Sequence, residues 1–165
     1  MKKQTKKVII IVLLIIAGLF GFYELGKKFS PGSYSNAEIY TINASEKDLI
    51  KAINQFKILN PDYIVPRVTI NNGGSFSLEE SEGRKDNSHW YLNYFYYKME
   101  NNILLTWTRP KGKTETEFAF ISINKGLDLG HWKEINKDFE IQENRKIKKE
   151  FENRILQPIK ALLVK

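Results

Sequence analysis

The chain has 165 residues, a formal net charge of +7 and no cysteine, so disulfides and thiolate metal sites are excluded. Up to residue 28 there are six lysines against one glutamate, which places +5 of the charge there and leaves +2 for everything after it. The basic balance therefore belongs to the amino-terminal flanks, and nucleic acid is not an expected partner.

Residues 8–23, VIIIVLLIIAGLFGFY, form an unbroken apolar run with Lys2, Lys3, Lys6 and Lys7 before it and Lys27 and Lys28 after it. As a helix this run spans roughly 24 Å against a hydrocarbon core of about 30 Å, a shortfall that snorkelling lysines and a thinned bilayer make up. A core helix is disfavoured because the run has no face to show water. A cleaved signal would share the lysines and apolar stretch, but residues 21–26 put bulky groups where a small-x-small cleavage site is needed. The expectation is a retained signal-anchor, with the membrane as partner through residues 8–23. Four lysines before the run and two after it put the amino terminus in the cytoplasm and export the rest as a single-pass protein. The domains follow as residues 1–25, a cytoplasmic stub and transmembrane anchor; 26–37, a flexible tether rich in Gly, Ser and Pro; and 38–165, an exported α+β domain.

Within that domain residues 38–43 read as a short strand. Ser45, with Asp48 three positions on, is an N-cap signal for a helix over 46–59, whose stripe is Leu49, Ile50, Ile53 and Phe56. Asn60-Pro61 stops it. Residues 67–71 alternate as a strand, Asn72-Gly73-Gly74 marks a turn, and 75–78 can pair back. Residues 79–87 hold no apolar side chain and read as an exposed loop tip. Residues 90–99, 103–109 and 114–123 are three strand-like runs joined by short turns, which predicts an antiparallel meander. On the third run Ala119, Ile121 and Ile123 point one way and Thr116, Phe118 and Phe120 the other.

The last third returns to helical period. Trp132, Ile135 and Phe139 fall at i, i+3 and i+7, and Ile147, Phe151 and Ile155 recur every four residues through 143–156. Lys146 with Glu150, Lys148 with Glu152 and Glu150 with Arg154 are i,i+4 opposite-charge pairs, and Pro158 ends or bends the helix. The fold class is α+β: an amino-terminal single transmembrane helix followed by one two-layer domain with an antiparallel β-meander and flanking helices.

Chemistry is sparse. His89 follows Glu79, Glu80, Glu82 and Asp86, whose spacing matches no metal loop, so a solvated loop is the simpler account. Asp128 and His131 form an acid–base combination with no nucleophile near them in sequence. No Walker sequence, dinucleotide fingerprint, HExxH or G-x-S-x-G occurs, and neither a cofactor nor a catalytic residue is assigned. The aromatic run is the stronger signal. Trp90, Tyr91, Tyr94, Phe95, Tyr96 and Tyr97 put six rings on one strand, with Trp107 on the next, more than one buried face takes; Trp90, Tyr91, Tyr94, Tyr96 and Trp107 are the candidate binding residues for a protein partner at the sheet face. The function read from these residues is a membrane-anchored, extracytoplasmic binding or interaction domain without catalysis. Its alternatives are an immunity-type inhibitor of a toxin and a hydrolase or metal-dependent enzyme using His89 or His131.

Overall fold

The computed structural model describes residues 12–16, 18, 19, 21, 34–71, 73–78 and 90–163. It divides into two units, Met1–Ser35 and Asn36–Lys165. In the first unit, residues 12–16, 18, 19 and 21 are helical and exposed. Among the described residues no helix is long and apolar enough to cross a membrane. That overturns the transmembrane helix expected over residues 8–23, and with it the signal-anchor, single-pass and exported-domain assignments. A span needs about 20 consecutive apolar helical residues, and none of the described helices offers that. The rest of that run, most of the tether, the loop tip at 79–87 and His89 lie outside the described residues.

The second unit is an α+β domain with an antiparallel sheet. Strand β1 (Glu38–Ile42) leads into α1 (Glu46–Leu59), where Ser45 accepts the Asp48 backbone N–H at 3.2 Å as the cap signal requires. Pro61 ends α1 and opens a 3₁₀ turn, Pro61–Tyr63. Strand β2 is only Thr69–Ile70, and Val68 meets Phe76 in a single antiparallel bridge. Gly73 belongs in this turn because a Cβ there would come within 2.9 Å of the Ile70 carbonyl oxygen. The expected meander is present as β3 (Tyr91–Tyr97), β4 (Asn102–Pro110) and β5 (Thr116–Lys125). Among the described residues the main sheet runs β1-β5-β4-β3, and a short β6 (Asp128–Leu129) pairs with β2 in parallel.

Four expectations are corrected in the carboxy-terminal half. Trp132 does not begin a helix: β7 (Trp132–Glu134) pairs with β5 at residues 122–124, beyond the stretch that β1 covers, so it completes an otherwise open edge. The helix α2 (Ile141–Phe151) passes into a π-helical turn, Glu152–Leu156, and then into α3 (Gln157–Leu163). Pro158 therefore neither stops the helix nor leaves it regular; the wide turn just before it absorbs the missing N–H and the ring's bulk. Lys148, Glu152 and Arg154 also take tertiary partners instead of the i,i+4 pairs: Glu38, the Tyr40 hydroxyl and Glu100.

The fourth correction concerns alternation. Thr106 pairs with Phe120 but Leu105 pairs with Ser122, so Ile121 is an extra residue in β5. Its carbonyl accepts the Ile135 N–H at 2.8 Å. Past this bulge Ile123 joins Phe118 and Phe120 on the helix-facing side, where all three belong to the core with Leu49, Ile53, Phe56, Phe151 and Ile155. The other face buries Ile103, Trp107 and Ala119.

Candidate functional site

The bulge that moves Ile123 also moves Lys125. Cross-strand register then sets two rows on the helix-facing side of the sheet: Tyr97, Asn102 and Lys125, and beside them Leu104, Ile123 and Lys133. Opposite stands α2, whose Glu143, Ile147 and Glu150 share one face by the i, i+4, i+7 rule. Between sheet and helix lies a cavity of about 680 Å³, lined also by Phe139 and His131. That volume is within the range of small-ligand sites.

A polar brace fixes α2 in place. Asn136, in the left-handed region at φ 62°, accepts from the Asn144 side chain at 2.7 Å and from Lys148 at 3.0 Å, and donates to Glu38 at 3.0 Å. Lys148 closes the circuit on Glu38 at 2.9 Å. For Glu38, burial pushes the carboxyl up, but the hydrogen bonds from Lys148 and Asn136 outweigh it and hold the group below the usual carboxylate range.

The charges around the cavity are sorted by wall. The sheet side contributes Lys125 and Lys133, the latter 5.6 Å from the centre of the Phe139 ring. The helix side contributes Glu143 and Glu150. Among the described residues no ion pair joins the two walls. Glu100 is engaged: Arg154 binds it at 2.6 Å and holds its carboxyl below the ordinary range. The same guanidinium sits 3.6 Å from the centre of the Tyr97 ring. Tyr97 is 4% exposed, and among the described residues its hydroxyl has no hydrogen-bond partner. Burial drives that phenol's pKa upward against the pull of Arg154, so it stays protonated and able to donate.

The residues singled out from sequence are dispersed. Trp90 and Trp107 come together, ring centres 4.4 Å apart, with Arg109 at 4.5 Å from the Trp90 ring and ion-paired to Glu117. Trp107 is 1% exposed and serves as packing. Tyr96 donates to Asn101 at 2.8 Å, Tyr94 lines a second, smaller cavity, and Tyr91 pairs with Thr108, on the opposite face from Tyr94 and Tyr96. None of the five borders the larger cavity. His131 does, but its ring nitrogen lies 3.5 Å from the Asp128 backbone carbonyl, while the Asp128 carboxylate accepts the Thr69 hydroxyl at 2.8 Å. Among the described residues no group of three His, Asp or Glu side chains could hold a metal ion.

Sequence reasoning passed over Asn102, Lys125, Lys133, Glu143 and Glu150. The last two have a signal, since Glu143, Ile147 and Glu150 recur on one helix face. Lys125 has none, because only the bulge turns it inward. Fold and site together define an α+β domain with a dipolar cavity open to solvent, since Lys125, His131, Lys133 and Glu143 along it are exposed. No family model, curated protein or solved structure matches this chain.

Proposed function

We propose that residues 36–165 form a binding module whose cavity takes an amphipathic ligand with charges of both signs, as in a short apolar peptide with free termini. The single observation behind this is the cavity's division into a lysine wall and a glutamate wall across an apolar floor of Ile123, Phe139 and Ile147. A carboxylate would face Lys125 and Lys133, and an ammonium Glu143 and Glu150. Such rim charges orient a ligand and speed its encounter more than they bind it, so the apolar floor supplies most of the affinity.

The test uses the full chain, isotope-labelled, titrated with short apolar peptides and with the same peptides capped at both ends. Amide shifts should cluster at Lys125, Lys133, Ile147 and Glu150, and capping should weaken binding at least about tenfold, the loss of two or more charge contacts. Lys125→Glu with Lys133→Glu should do the same for uncapped peptides. Shifts mapping elsewhere, or indifference to capping, would discard this reading.

A further inference from the structure

Helix α2 borders the larger cavity, yet apolar packing fastens it at one end only. Among its described residues Phe151 alone is buried, and ahead of it only Ile147, half-buried, packs against the core. Ile141 at the other end is 71% exposed, and the side chain of Glu140 before it makes no capping hydrogen bond among the described residues. After Phe151 the regular ladder gives way to the π-helical turn, and the Glu152 N–H is shared between the Lys148 and Lys149 carbonyls. A shared donor at a π-turn is a soft joint, where a helix bends at least cost.

What holds the free end of α2 is polar and half in water. Asn144 and Lys148 reach Asn136, Lys148 also reaches Glu38, and Asn136 donates to the Asn36 backbone carbonyl at 3.0 Å. The Asn36 side chain in turn donates to Glu134 on β7 at 2.8 Å. Asn36 and Glu38 stand at the start of the second unit, so α2 is fastened to the stretch by which the chain enters this domain.

We infer that the amino-terminal turns of α2 are a hinged lid on the cavity, pivoting at Phe151 and latched by the entry residues Asn36 and Glu38. Each hydrogen bond this exposed shifts an opening equilibrium by about fivefold, so the latch releases while the sheet keeps its core. Displacing residues 36–38 frees the lid, and a lid held open loosens residues 36–38, because coupling between two sites is reciprocal. That the movement admits a ligand rests on the binding reading above; the movement itself does not, and it is measured with no ligand present.

The experiment follows hydrogen exchange of the full-length folded chain by mass spectrometry. Asn136→Gly removes the hub of the latch and tolerates its positive φ, Lys148→Met keeps the stem and removes the ammonium, and Asn36→Ala frees the entry from β7 without touching α2. Amides of residues 145–150 should exchange at least about fivefold faster in the first two and about twofold faster in Asn36→Ala, with β4 and β5 as protected as in the unaltered chain. Because the chain has no cysteine, Ile147→Cys supplies a single thiol on the cavity side of the lid. Its alkylation by a bulky maleimide should quicken at least about fivefold when Asn136→Gly is added. Unchanged exchange of residues 145–150 in any of the three variants would overturn the inference, as would exchange that rises equally in β4 and β5, or a thiol whose alkylation ignores the latch.

Discussion

The helix-facing side of the sheet has two ends that meet at the bulge, and they are built on opposite principles. At one end Tyr40, Phe118 and Phe120 close against Phe151, with the Phe120 and Phe151 rings stacked at 4.5 Å and 17°. At the other, Tyr97, Asn102, Ile123 and Lys125 face Glu143, Ile147 and Glu150 across open space. One helix serves both: α2 seals the sheet with its last residue and stands off it through its earlier turns, where the Asn136 brace holds it. A ligand cavity can thus be made without a special fold, by extending a well-packed layer past the point where its side chains still fill the gap.

The most severe way to break this contrast is Phe151→Ala. The ring is fully buried and touches three aromatic neighbours, so its removal should cost about 3–5 kcal/mol, read from urea or thermal unfolding of the full chain. A cost under about 1 kcal/mol would mean that the closed end is no better packed than the open one.

Tyr97→Phe sharpens the contrast from the open side. Because the hydroxyl is buried with no hydrogen-bond partner among the described residues, deleting it should leave stability unchanged or raise it by up to about 1 kcal/mol. Should unfolding measurements instead show a loss above about 1 kcal/mol, the hydroxyl must be hydrogen-bonded in the free protein.

Glu38→Gln addresses the brace and is the mildest change. The pair with Lys148 is partly exposed, so solvent screening keeps the loss at neutral pH to about 0.5–1 kcal/mol. The Glu38 carboxyl is depressed on folding, so its contribution is complete above the ordinary glutamate value of about 4.3 and is lost as pH falls through the lower folded value. Unfolding curves of the two proteins should therefore differ at pH 7 and converge in acid. A difference that persists at low pH would assign the effect to packing.

Local signals were reliable where one short stretch of chain decides the outcome. Ser45 and Asp48 start α1, Asn60-Pro61 ends it, and the turns around Asn101 and Gly112 space the meander, all as their side-chain and backbone chemistry requires. Period alone misled at Trp132, Ile135 and Phe139. Their helical spacing is real, but the vacant edge of β5 offered hydrogen bonds that a short helix there could not match. The aromatic residues were similarly ambiguous, since ring content announces a strand but not which face of it is covered: Trp107 is sealed in while Tyr96 reaches Asn101 near the surface.

By itself, the sequence determined the cap, the amphipathic helices, the antiparallel meander and the absence of cysteine chemistry, because each follows from residues within a few positions of one another. Only the tertiary structure decided that β7 is a strand and that Ile121 is a bulge turning Ile123 and Lys125 toward α2. Those outcomes depend on how far elements extend and on which edges remain unpaired once distant segments meet, and a one-residue shift in register reverses every side chain beyond it.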